Sequence, residues 1–135
     1  MLTTGQLAKQ ADVGVETLRF YEREGLLPEP ARLPSGYRQY AADAVERVRF
    51  IRRAQLFGFQ LKDIKELLTL RDDPEADRAE VRGRSAALLA DIDARIRKLQ
   101  AVRDELARLL AACDGDGAAA GCPIIDAIGE GNPPA

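Results

Sequence analysis

Residues 16–40 read ETLRFYEREGLLPEPARLPSGYRQY, and within them the chain changes character. As far as Glu24 there is neither Gly nor Pro. Val15, Leu18 and Glu22 share one side of a helical projection, while Glu16, Thr17, Arg19 and Tyr21 have other exposures. A helix from about Val15 to Glu24 is therefore expected, stopped by Gly25. From Pro28 to Tyr40, three prolines, Ser35-Gly36 and isolated charges favour an extended excursion with a tight turn at Pro34-Ser35-Gly36, which reads as a wing.

Upstream, Thr3 and Gln6 have the capping-box spacing, and Leu7, Ala8 and Ala11 form a short apolar face. Together they predict a helix from Thr4 to Ala11, ended by the turn Asp12-Val13-Gly14. Two short helices joined by a glycine-containing turn make a helix-turn-helix pattern. Downstream, Val45, Val48, Ile51 and Ala54 line one face of a helix from Ala42 to about Leu56, with Arg47, Arg49, Arg52 and Arg53 around it. Gly58 breaks that helix. Gln60 to Leu70 forms another, with Leu61, Ile64, Leu67 and Leu68 inward, and Asp72-Asp73-Pro74 closes the head.

From about Glu75 to Ala112 there is no proline and one glycine, Gly83, in a run rich in Ala, Leu, Arg and Glu, so one long helix is expected. Alternate steps of three and four pass through Val81, Ser85, Leu88, Ile92, Arg95, Leu99, Val102, Leu106, Leu109 and Cys113, a heptad seam with a polar exception at Arg95. Such a helix cannot bury its own apolar stripe, and a partner helix is implied. After a loop of small residues, Pro123 opens a short helical turn through Ile124, Ile125 and Ile128, and the tail has the composition of a disordered end. The fold class expected is mainly α. A winged helix-turn-helix head spans 1–74, a coiled-coil dimerisation helix 75–112, a loop with a short helix 113–129, and a disordered tail 130–135.

The 135 residues, 46% of them hydrophobic, suffice for one modest domain and an extension. Charges from Lys9 to Glu24 interrupt the first residues, and no stretch reaches about 18 apolar residues in succession, so neither a secretory leader nor a membrane span is expected, and a cytoplasmic location is. Two cysteines, both near the C-terminus, are too few for a disulfide scaffold and suit a reducing compartment. The formal charge of −2 conceals an asymmetry: residues 1–71 hold 12 Lys/Arg against 9 Asp/Glu, and the remainder 8 against 13. A mildly basic head permits contact with phosphates, as many ordinary surfaces do. The chain has no histidine. His-based metal sites, a His general base and a Ser-His triad are thereby excluded, and no nucleophile-base pair or cofactor loop is visible, which argues against an enzyme.

Glu16, Thr17, Arg19 and Tyr21 offer the polar face that a recognition helix turns to base edges and phosphates, though many unrelated surface helices carry one too. Arg32, Tyr37 and Arg38 place an aromatic beside cations on the wing, within reach of a phosphate backbone. Cys113 ends the long helix and Cys122 precedes Pro123 nine positions later, across a loop that can bring the sulfurs together. Cys122 would stand at a helix N-terminus, where the dipole favours the thiolate. On spacing alone the two are as well read as unligated small hydrophobes. Asp114 and Asp116 read as solvated loop residues.

The run over 16–40 resembles the signature of the MerR family of bacterial transcription regulators, and AQLFGFQLKDIKELL, residues 54–68, resembles the helix pair that follows it there. The ending ACDGDGAAAGCPIIDAI, residues 112–128, is similar to that of the family's metal-sensing branch, with its copper, mercury and lead sensors. The resemblance implies that Thr17, Arg19 and Tyr21 lie on the major-groove helix and that Arg32, Tyr37 and Arg38 contact phosphate from the wing. It implies a homodimer, its long helices antiparallel, on a palindromic operator in double-stranded promoter DNA whose two polymerase elements are too far apart and out of phase. Effector binding makes the dimer bend and undertwist that DNA until RNA polymerase holoenzyme can use both elements, so one protein represses and activates.

Within that resemblance Cys113 and Cys122 are metal ligands for one soft ion per protomer. Cu(I), with Ag(I) or Au(I) as mimics, is favoured, because two thiolates suit a linear soft ion whereas tetrahedral Zn(II) needs ligands this chain does not supply; Hg(II) also accepts two thiolates. Arg78 precedes Cys113 by 35 residues, or five heptads, and antiparallel helices bring Arg78 of one chain near Cys113 of the other. Family members that sense divalent ions carry a third cysteine near that position, where Ala76, Asp77 and Arg78 stand here. Arg82 matches the position of a lysine in the copper-sensing branch. Arg78 and Arg82 are the candidate cations to offset the single negative charge left by two thiolates and a monovalent ion. The competing readings are a MerR-type sensor of Hg(II) or another divalent ion, a thiol-redox or electrophile sensor, and a coiled-coil interaction protein that never meets DNA.

Overall fold

The structure is a computed structural model and describes residues 1–130. Of the tail expected to be disordered, all but Glu130 lies outside the described residues. Among those residues the order is α1 (Thr4–Ala11), α2 (Val15–Arg23), β1 (Ala31–Arg32), β2 (Arg38–Gln39), α3 (Ala44–Phe57), α4 (Leu61–Asp72), α5 (Arg78–Ala112) and α6 (Pro123–Gly129), mainly helical as expected. They group into two compact units, Met1–Arg84 and the residues from Ser85 onward.

In the first unit α1 starts at a capping box. Thr3 Oγ1 accepts from the Gln6 N–H at 3.1 Å and Gln6 Oε1 accepts from the Thr3 N–H at 2.9 Å, which satisfies donors that a helix start leaves without partners. Asp12 ends α1 at φ 57°, a left-handed position that Asp tolerates better than most residues. Leu7, Ala8 and Ala11 of α1, Leu18 and Tyr21 of α2, Val48, Ile51 and Ala54 of α3, and Ile64 and Leu68 of α4 meet Leu26, Leu27 and Tyr40 in one buried cluster. That cluster holds α1 against α2 and α3, the arrangement of a helix-turn-helix. Arginines of α3 reinforce it: Arg49 donates to the Gln10 carbonyl at 2.7 Å and Arg52 to the Asp12 carbonyl at 2.6 Å, at the end of α1 where helical carbonyls lack partners.

β1 and β2 pair antiparallel, with Arg32 opposite Arg38. The turn between them closes with the Gly36 N–H donating to the Leu33 carbonyl at 2.8 Å, and Gly36 takes φ 88°, which a side chain would oppose. Leu2 and Tyr40 exchange backbone hydrogen bonds at 2.8 Å, so the hairpin is tied to the start of the chain.

Helix boundaries differ in detail from expectation. α3 begins at Ala44 rather than Ala42, α4 continues to Asp72, and α5 begins at Arg78 rather than Glu75. The last has a visible cause. Asp77 Oδ1 accepts from the Ala79 N–H at 3.0 Å and caps the helix, while Asp73 Oδ1 accepts from the Glu75 N–H at 2.9 Å and turns the chain before it. Arg84 of α5 pairs with Asp63 and Glu66 of α4, within the first unit.

In the second unit α5 continues with Leu88, Ile92 and Val102 half-buried and Leu99 and Leu106 exposed by 70% and 48%. Leu89, Ile96 and Leu110, beside the seam, are also exposed. Leu109, by contrast, is buried within the single chain. No helix of the described residues is long and apolar enough to cross a membrane.

Candidate nucleic-acid interface and thiol site

α2 turns Glu16 and Arg19 to solvent, joined by an ion pair at 3.3 Å. Thr17 is half-buried and lines a hollow with Val13, Gly14, Tyr21, Arg52 and Gln55, beside the turn between α1 and α2. The structure corrects one expected contact, Tyr21. Instead of standing on the exposed polar face it is 2% exposed, and its hydroxyl donates to Gln55 Oε1 at 2.7 Å. Tyr21 follows Leu18 by three residues and so shares its apolar side, and Gln55 supplies the partner that a buried hydroxyl requires. Burial holds that hydroxyl above the ordinary tyrosine pKa, against an opposing pull from Arg52.

On the wing, Arg32 is exposed and donates to the Gly36 carbonyl at 3.2 Å, and Tyr37 stands in solvent. Arg38 differs from both. It is half-buried, and its Nε faces Glu22 Oε2 of α2 at 3.4 Å, while Tyr40 donates its hydroxyl to Glu22 Oε1. Burial, then the bond to Glu22, pushes the Tyr40 pKa up to about 12. The sequence reading missed this cluster. Its signal was Glu22 on the Leu18 side of α2, where a carboxylate turned toward a core needs partners.

In the second unit Cys113 follows α5, and its N–H still donates to the Leu109 carbonyl at 3.1 Å. The loop then turns back through Gly115, Gly117 and Gly121, all at positive φ, and brings the Cys122 Sγ to 3.4 Å from the Cys113 Sγ. A disulfide would measure about 2.05 Å, so both thiols are free. Cys122 caps α6, with Pro123 in the first turn where a missing N–H costs nothing. The backbone N–H groups of Ile124 and Ile125 at the start of α6, and then the Cys113 thiol, hold the Cys122 thiol below its ordinary pKa. Among the described residues no three Cys, Asp or Glu side chains gather as a metal-binding group. The donors brought together are two sulfurs, a set that suits a soft ion of low coordination number better than tetrahedral zinc. Arg78 is the first residue of α5, and both it and Arg82 are exposed.

Comparisons with known proteins match both parts of the chain. A family model described as MerR HTH family regulatory protein covers residues 2–70, and one described as MerR, DNA binding covers residues 45–109. The HTH-type transcriptional regulator ZntR of Escherichia coli is 37% identical over 133 residues, spanning 97% of this chain and 94% of that protein. The mercuric resistance operon regulatory protein of Serratia marcescens is 39% identical over 133 residues, spanning 98% and 91%. The transcription regulator PbrR691 of Ralstonia metallidurans, crystallised in complex with lead(II), superimposes with a TM-score of 0.84 at 39% identity, over 95% of this chain and 99% of that one.

Proposed function

From the premise that this chain belongs to the MerR family of helix-turn-helix regulators, we propose that it is a homodimeric metal-responsive transcription regulator in which Cys113 and Cys122 hold one soft metal ion per protomer, Cu(I) before Ag(I), Au(I) or Hg(II). The observation that carries the proposal is the pair of free sulfurs 3.4 Å apart, following a long helix in a chain that opens with a helix-turn-helix. Two relatives support a metal effector, one named for mercuric resistance and one crystallised with lead(II). Ligand supply favours Cu(I), since two thiolates complete the shell of a linear soft ion. The negative charge that remains is offset by Arg78 or Arg82 of the other protomer.

On DNA, α2 of each protomer enters a major groove. Arg19, with Glu16 and Thr17, meets base edges, and Arg32, Tyr37 and the exposed part of Arg38 meet phosphates. Leu88, Ile92, Leu99, Val102 and Leu106 hold the dimer, as part of an apolar stripe that a single chain leaves half-buried at Leu88, Ile92 and Val102 and exposed at Leu99 and Leu106. Metal binding biases a dimer already on DNA toward a conformation that bends and undertwists the promoter, at a cost of about 1–6 kcal/mol for elastic bending. RNA polymerase holoenzyme then initiates.

The test is transcription by purified polymerase from the chain's own promoter, with Cu(I), Ag(I), Hg(II), Zn(II) and Cd(II) buffered to known free concentrations. Cu(I) should activate at the lowest free concentration, and the response should vanish in the Cys113→Ser, Cys122→Ser double variant. Activation by Zn(II) or Cd(II) below the Cu(I) threshold, or a full response in the double variant, overturns the assignment.

A further inference from the structure

Glu22 lies on the inner side of α2, its side chain 12% exposed, and is the meeting point of two residues from the far side of the wing. Arg38 Nε stands 3.4 Å from one of its oxygens, and the Tyr40 hydroxyl donates to the other. Tyr40 is buried and bridged through its backbone to Leu2, so one side of the cluster is anchored in the core. Arg38 Nε is itself buried, with Glu22 as an ionic neighbour but no hydrogen bond, so the exposure of Arg38 lies in the rest of its side chain. The two strands of the wing have two residues each. A hairpin so short is not stable by itself in water and takes its position from what it is fastened to.

We propose that Glu22 is the positioning residue that fastens the wing to the recognition helix, holding Arg38 and Tyr40 so that wing and α2 meet one DNA duplex at a set spacing. The inference rests on the reading that α2 and the wing bind DNA, and it gives a part in that binding to a carboxylate that touches none. Electrostatics alone has the opposite sign. An acid beside the interface repels phosphate, so neutralising it would tighten binding. Preorganisation predicts the reverse, because a wing released from Glu22 must be ordered by the DNA itself.

Full-length wild type and Glu22→Gln are compared on a duplex that the wild type selects from a random-sequence library. Affinity is measured per active molecule and contacts by hydroxyl-radical footprinting, with a thermal melt to follow folding. Glu22→Gln should bind roughly five- to tenfold more weakly, the scale of one coupled pair in contact. Its footprint should weaken at the phosphates under the wing and persist at the major-groove half-sites. A variant that only lost stability would keep both the affinity per active molecule and the footprint, which would overturn the inference. Tyr40→Phe, which leaves the ring in the core, should move the same footprint in the same direction by less, and it decides the matter if Glu22→Gln does not fold. Wild type that selects no duplex would remove the DNA-binding reading and this inference with it. Wild type that selects one, with Glu22→Gln binding as tightly or more tightly, removes the inference alone.

Discussion

Replacing Leu99 and Leu106 together by Lys should separate the dimer. In the single chain Leu99 is 70% and Leu106 48% exposed, and complete burial of a leucine side chain contributes about 1.5–3 kcal/mol. Scaled by those exposures, the two residues contribute about 2–3.5 kcal/mol from each protomer. A two-fold interface counts the change twice, so the dimer loses about 5 kcal/mol before any cost of placing ammonium groups in an apolar seam. That is about three to four orders of magnitude in the dissociation constant. Sedimentation equilibrium at low micromolar concentration would show monomers where the wild type shows dimers, and operator affinity would fall with the lost second half-site. Neither leucine belongs to the cluster that joins α1 to α4, so the melt of the head should be unchanged. A double variant that still sediments as a dimer would refute the seam as the interface, and with it the placing of Arg78 against the other protomer's thiols.

Tyr21→Phe should cost the head about 1 kcal/mol, because Gln55 loses its donor, without altering the salt dependence of DNA binding; weaker DNA binding at unchanged stability would return Tyr21 to the contact surface. Arg19→Ala should reduce discrimination between the selected duplex and random DNA by about 1–3 kcal/mol, whereas Arg32→Ala should weaken both alike and lower the salt slope by about one. Identical behaviour of the two variants would break the division of labour between α2 and the wing. Tyr40 titrates at about 12 in the folded chain against an ordinary value of about 10, so the fold favours its neutral form. Its contribution is complete below the ordinary value and is lost as pH rises from there through about 12. Denaturant midpoints taken across the alkaline range should fall less steeply in Tyr40→Phe than in wild type, and equal slopes would refute the shift.

The sequence by itself determined the kind and order of the elements, because the signals involved act over a few residues. The Thr3-Gln6 box, the stops at Gly25 and Gly58, the turn at Pro34-Ser35-Gly36 and the unbroken run of helix formers into Ala112 each place a boundary from local backbone geometry. It also determined which chemistry is possible, with no histidine and two sulfurs nine positions apart. Only the tertiary structure decided what each polar side chain does. Tyr21 reads as exposed until Gln55, 34 residues away, supplies a partner inside the core. Arg38 reads as a free wing cation until Glu22 of α2 is set beside it. Leu109 reads as one more seam residue until the folded chain buries it. Helical period and turn chemistry are fixed within one or two turns of backbone, whereas a hydrogen bond or ion pair between elements depends on how distant apolar faces pack and which polar atoms that packing leaves in contact.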